Sequence, residues 1–215
     1  MFNSLSGRFL ILTTVFVMLA EVLIFVPSVA RYRQDYLLLR LERAQIASLA
    51  LLAEDMISEE LEAELLANAG VFNVVLRRDE VRQLALSSPI PKPVEASYDL
   101  RDPSAWSLIV DALATLVQSG DPIIRVIGNP VQDGGLLIEV TMEQAPLKLA
   151  MLDYGVNILA LSAVISIITA LLLFLAVRAF LVSPIKGVIR HMKSYAEAPE
   201  DARRIIEPSA GVIEL

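Results

Sequence analysis

A chain of 215 residues that is 55% hydrophobic, with a mean hydropathy of +0.60, is too apolar for an ordinary soluble domain unless the excess is concentrated in a few segments. It has no cysteine, which excludes disulfides, thiol metal sites and thiol redox chemistry. The formal charge of −7 is uneven: residues 31–153 hold 19 acidic and 11 basic side chains, a balance of −8, and so acidic a segment argues against nucleic acid as a partner, because phosphate contacts need basic clusters.

After a short N-terminus, residues 1–8, the first predicted element is a membrane-spanning helix over 9–30. Between Arg8 and Arg31 lie 22 residues whose single charge is Glu21, long enough at about 1.5 Å per residue to cross a hydrocarbon core. Arg8, the apolar run and Ser28-Val29-Ala30 also resemble a secretory signal, but the run is longer than a signal core, which favours an uncleaved anchor. Glu21 reads as a protonated or snorkelling side chain in a helix interface near the outer leaflet.

From Arg31 to about Asn68 there is neither Gly nor Pro, and Ile46, Leu49, Ala53, Ile57, Leu61 and Leu65 recur at spacings of three and four. This predicts one long amphipathic helix, continuous with or closely following the first span and closed at Asn68-Ala-Gly70. Its acidic residues Glu54, Asp55, Glu59, Glu60, Glu62 and Glu64 could gather divalent cations, though a solvated face explains them more simply. The period then changes to two. Phe72, Val74 and Leu76 alternate within Val71–Arg77, and Val81–Leu86 follows as the second strand of a hairpin. Four prolines between Ser88 and Pro103 predict a long surface loop.

Ser104 is placed to cap a helix carrying Trp106, Ile109, Val110, Leu113, Leu116 and Val117, ending at Gly120. Ile123–Ile127 and Leu136–Met142 are the last strands. Leu136, Ile138, Val140 and Met142 share one face and Leu137, Glu139 and Thr141 the other, which predicts a half-buried antiparallel sheet. Residues 31–153 thus form one domain. Residues 154–177 are 24 uncharged residues, the second spanning helix. Arg178, Lys186, Arg190 and Lys193 follow it while only Lys148 closely precedes it, so the tail 178–215 and the N-terminus are expected in the cytoplasm and the domain outside, in an inner membrane. Arg31, Arg33, Arg40 and Arg43 run against that sidedness, but the rule weakens across a long loop.

The order of helix, hairpin, loop, helix, hairpin and helix into the membrane resembles PAS-like or Cache-type extracytoplasmic sensor domains. The expected class is an α+β membrane protein: two transmembrane helices flanking such a domain. That resemblance implies a small-molecule or ionic ligand between the sheet and its covering loop. Tyr98, Asp99 and Arg101 on the loop, with Arg77 and Arg125 on strands, are its candidate contacts, though loop charges and strand-edge arginines are more simply explained as solvated. No histidine, nucleophile elbow, Gly-rich phosphate loop or metal-ligand pair occurs in the domain, so the expectation is binding without catalysis.

In the tail, Pro184 opens a helix in which Ile185, Val188, Met192 and Tyr195 form a seam, and a connector follows through Pro199-Glu-Asp, Arg204-Ile-Ile and Pro208-Ser209. These residues resemble the start of a HAMP relay domain, and more narrowly that of bacterial membrane sensor histidine kinases, over about 35 residues. The resemblance implies a homodimeric four-helix bundle with Pro184 opening the first helix, Ile185 and Met192 as core knobs, and Ile205 or Ile206 pinning the connector. The family's Asp-Glu-x-Gly opening of the second helix is replaced by Ala210-Gly-Val-Ile-Glu-Leu215, and one turn of that helix cannot complete a bundle, so the chain is expected to be a fragment with a partial HAMP segment. His191, followed by Met-Lys-Ser-Tyr, lacks the acidic residue and Arg-Thr-Pro that follow the family's phosphoacceptor and reads as an ordinary basic-face residue. The implied function is the sensing and relay module of a sensor histidine kinase, with no cofactor in this chain. ATP, magnesium and a response regulator would belong to a downstream kinase core. The alternatives are the input of a chemoreceptor, cyclic-dinucleotide enzyme or phosphatase, and a non-signalling bitopic scaffold.

Overall fold

The computed structural model describes residues 5–53, 58–77, 82–131 and 135–197, with side chains for all of these except 5–10, 50–53, 82–85, 191 and 194–197. Two compact units emerge: Leu19–Leu161, and the pair of segments Met1–Met18 and Ser162–Leu215.

The first of these units is α+β. Helix α1, Leu5–Ala53, enters it without a break at Pro27 and presents Val29, Ala30, Arg33, Leu37, Leu41, Ala44, Ala47 and Ser48 inward, a stripe at helical spacing. The predicted face of Ile46 and Leu49 is turned outward: both are exposed. Apolar residues line both sides of α1, and the buried side is the one carrying Leu37, Leu41, Ala44 and Ala47, with Leu41 set against Gly128 of the sheet. The single long helix expected as far as Asn68 is instead two. Helix α2, Glu59–Ala69, has its own N-cap, Ser58, whose Oγ accepts from the Leu61 N–H at 3.3 Å, and Glu59, Glu60 and Glu62 crowd its positive end. Residues 54–57, with Glu54, Asp55 and Ile57 among them, lie outside the described set. Gly70 ends α2 as expected, left-handed at φ +67°, with its N–H bonded to Ala67 O and that of Val71 to Leu66 O.

The strands are β1 (Asn73–Arg77), β2 (Arg82–Ser87), β3 (Val94–Asp99), β4 (Ile123–Gly128) and β5 (Leu137–Glu143), ordered β2-β1-β5-β4-β3 in one sheet. The expected hairpin β1–β2 forms with a register shift between Val74 and Val75, and Val75 is buried beside Val74 and Leu76, so β1 is covered on both faces. Ile138, Val140 and Met142 of β5 point into the core as anticipated.

Strand β3 corrects the expected loop. Pro89, Pro91 and Pro93 stop short of it and Pro103 lies beyond, leaving six residues that alternate half-buried and exposed along the sheet edge, where a missing N–H costs least. It also makes the sheet mixed, for β3 runs parallel to β4 while every other neighbour is antiparallel. Parallel neighbours need a crossover of about a dozen residues, and helix α3, Ala105–Val117, supplies it. Ser104 caps α3, accepting from the Ser107 N–H at 3.1 Å. The predicted apolar residues of α3 divide: Ile109 and Leu116 pack on the core, with Ala112 and Thr115 buried between them, whereas Trp106, Val110, Leu113 and Val117 are exposed.

Helix α4, Ala145–Val177, buries Leu147, Met151 and Gly155. Its distal part lies in the second unit. There a π-helical turn, Arg178–Val182, is closed by the Ser183 N–H donating to Arg178 O, and helix α5, Ser183–Glu197, follows. Pro184 accounts for the wide turn. It has no N–H for the carbonyl four residues back, and its ring crowds that carbonyl, so the preceding turn opens by one residue. Helices α1 and α4 are each long and apolar enough to cross a membrane, with exposed Ile11, Leu12, Val15 and Phe16 on one and Ile165, Ile167, Ile168 and Leu171 on the other.

Candidate functional site

The five residues expected to meet a ligand do not converge. Arg77 is exposed at the end of β1. Asp99 and Arg101 satisfy each other, Arg101 Nε donating to Asp99 Oδ1 at 2.9 Å, and this bond holds the Asp99 carboxyl below the usual carboxylate range. Arg125 lies on β4 with its Nε 4.0 Å from Glu139 Oε2 on the neighbouring strand. Only Tyr98 turns toward the core.

Tyr98 leads to the group that sequence reasoning passed over. Arg33, on α1, is fully buried. Its Nε donates to Thr115 Oγ1 at 3.0 Å, its guanidinium carbon sits 4.2 Å from the centre of the Tyr98 ring, and Nη1 is 4.0 Å from Asp111 Oδ2. Both Nη1 and Nη2 lack a hydrogen-bond partner. Burial pushes this guanidinium below its ordinary value, and Tyr98 and Asp111 oppose that shift without cancelling it. Helix α1, strand β3 and helix α3 therefore meet on one desolvated cation. The signal was in the sequence: Ala30, Arg33, Leu37, Leu41 and Ala44 share a face, so Arg33 occupies a core position. As one of four arginines following an apolar run, Arg33 reads in the sequence only as a mark of sidedness, and that reading hid it.

Two further polar side chains of α1 fasten it elsewhere. Arg40 donates from Nη1 to Ala69 O, at the carbonyl end of α2, at 2.9 Å, and from Nη2 to Tyr36 Oη at 2.8 Å. Gln45 clamps the backbone of Val131, giving Nε2 to its carbonyl at 2.7 Å and taking its N–H at 2.6 Å. At the other end, Tyr32 stacks on Tyr154 of α4 with ring centres 4.1 Å apart. Neither α1 nor α4 can slide or turn in the domain without breaking these contacts.

Two shallow clefts flank α1. One of about 480 Å3 is lined by Asp35, Leu39, Glu42, Gln45, Asn129 and Val131, and one of about 280 Å3 by Arg40, Gly70, Phe72, Met142, Glu143 and Pro146. Neither includes any of the five predicted contacts. Among the described residues no cluster of His, Asp and Glu could hold a metal ion, and Glu62, from the acidic run, accepts instead from the Ser87 N–H at 2.8 Å.

Of the relay residues, Pro184 is the second residue of α5, and Ile185 and Met192 lie exposed along it with Val188, as one unpartnered stripe. Ile205 and Ile206 are outside the described residues. No protein-family model, no curated protein and no solved structure matches the chain.

Proposed function

We propose that the chain is the sensing and relay module of a membrane sensor histidine kinase, with residues 31–153 as a PAS-like or Cache-like sensor outside the inner membrane and the segment from Arg178 as the start of a HAMP relay. The observation that carries this is helix continuity: α1 runs unbroken from Leu5 to Ala53 and α4 from Ala145 to Val177, so each apolar segment is continuous in sequence with a helix of the domain core. A ligand that favours one packing of the domain over another shifts the equilibrium between them by its difference in affinity for the two. Arg33 is the joint at which such a shift would be felt, because its contacts cross three elements. The stripe of Leu39, Ile46 and Leu49 on the outer side of α1 and that of Ile185, Val188 and Met192 on α5 both suit a parallel homodimer, in which each would find its own copy. The phosphate chemistry, with ATP, magnesium and a response regulator, belongs in this reading to a kinase core outside these residues.

The absence of cysteine makes sidedness directly testable. Arg101→Cys is expected to react with a membrane-impermeant maleimide in intact cells, and Lys193→Cys only after permeabilisation. Equal reactivity of the two from one side would end the relay reading. Membranes carrying the complete reading frame should also form acid-labile phosphohistidine from labelled ATP and magnesium, and failure to do so would remove the kinase while leaving the topology standing.

A further inference from the structure

We propose that α3 lies on the outer surface of the bilayer as an interfacial helix, with Trp106, Val110, Leu113 and Val117 against lipid, an inference that rests on α1 and α4 spanning the membrane. Every exposed position of α3, namely Ala105, Trp106, Val110, Leu113, Ala114 and Val117, is apolar, with Trp106 74% and Val117 81% accessible. Its single charged residue, Asp111, is turned toward Arg33. A helix that buries one face in its own domain and has an apolar residue at every exposed position, its one carboxylate only partly exposed at the boundary, needs a second apolar phase.

The contacts of α3 say which phase. The Tyr32–Tyr154 stack fixes one common level on α1 and α4, and it sits at the outer ends of the two charge-poor runs, beside Arg31 and Asp153. Arg33, which binds Thr115 of α3, is one residue beyond that level, about 1.5 Å, and helical side chains lean toward the N-terminus, here toward the membrane. The next tie from α1, Arg40 to the end of α2, is about 12 Å beyond the stack, and Gln45 to Val131 about 20 Å. On the other helix, Lys148 Nζ donates to Gln118 O, at the C-terminal end of α3, at 2.6 Å, five residues before Asp153. Among the ties of α1 to the rest of the domain beyond the stack, those of Arg33, to α3 and to Tyr98 of β3, are therefore the closest to the spans. An interfacial helix is expected to place tryptophan where hydrocarbon meets headgroup, and the chain's one tryptophan opens this stripe. The Arg33–Asp111 contact acquires a purpose in this setting: it keeps the carboxylate of α3 off the lipid side.

That single tryptophan is also the probe. The full chain is reconstituted in phosphatidylcholine–phosphatidylglycerol vesicles containing lipids brominated either near the headgroup or near the chain terminus. Trp106 is expected to lose most of its emission to the shallow bromines, less to the deep ones, and to be poorly quenched by acrylamide. In V110D/L113D, which changes only exposed positions, emission should shift to the red and acrylamide quenching return. Free access to acrylamide without bromolipid quenching overturns the proposal, and so does protection from both quenchers, which would mean that a second copy covers the stripe. The W106F/L159W chain carries its sole tryptophan in the second span. Quenching there by deep bromines shows the span in place whatever Trp106 does, whereas no quenching at that position means that the spanning reading itself has failed, and the surface contact with it.

Discussion

Arg33→Ala is expected to cost about 2–4 kcal/mol of stability and Arg33→Met less than about 1 kcal/mol, or to stabilise. The guanidinium is wholly out of water, with one charge-assisted hydrogen bond at Nε and two nitrogens that have none. Desolvating a cation so incompletely compensated costs free energy that an apolar side chain of similar length avoids. Truncation to alanine instead leaves a cavity where the stem packed and removes the contact with Tyr98, which sets the larger cost. Asp111 adds little to it, because its side chain is 35% exposed and regains water when Arg33 leaves, and Thr115 Oγ1 keeps its own bond to Asp111 O at 2.8 Å. Thermal unfolding of the chain in nanodiscs, followed by circular dichroism, separates the two variants. If methionine proves as damaging as alanine, the cation itself holds the domain together, and a role in coupling loses its main support.

Gly70→Ala should destabilise by about 2–4 kcal/mol, and Gly120→Ala by only about 1–2 kcal/mol. Both glycines have positive φ, +67° and +94°, so an added methyl costs backbone strain at each. The surroundings differ. A Cβ at Gly120 meets nothing within 4 Å, while one at Gly70 would meet the Arg40 guanidinium, with Cζ at 2.7 Å. Arg40 must then withdraw, giving up its bonds to Ala69 O and Tyr36 Oη and with them the tie between α1 and the end of α2. Equal losses in chemical unfolding of the two variants would show that this tie contributes nothing.

What the sequence disclosed follows from how local each signal is. The two apolar runs, the Ser104 cap, the Gly70 stop and the inward Ile138, Val140 and Met142 of β5 are written in adjacent residues and appear where expected. Leu136, in contrast, is exposed ahead of the strand, and Thr141 is buried. Strand β3 was hidden by a count of prolines that ignored the six proline-free residues among them. The inward face of α1 was misassigned because both of its sides are apolar, and the choice between them is made by the sheet, which is distant in sequence. The Arg33 group was not legible: an exposed arginine and a buried one look alike in a string, and partners 82 residues apart, as Arg33 and Thr115 are, leave no local pattern.

The wide turn at Arg178–Val182 holds one residue more than α-helical geometry allots, so everything beyond it is out of step with α4 by about 100°. Helices α4 and α5 are thus geared together and not welded. Deleting one residue inside the turn would close it and leave Ile185, Val188 and Met192 facing as they do now, whereas the same deletion within Tyr154–Val177 would swing all three around the helix axis together. The length of this protein is consequently free to change at one point between α4 and α5 and fixed on either side of it.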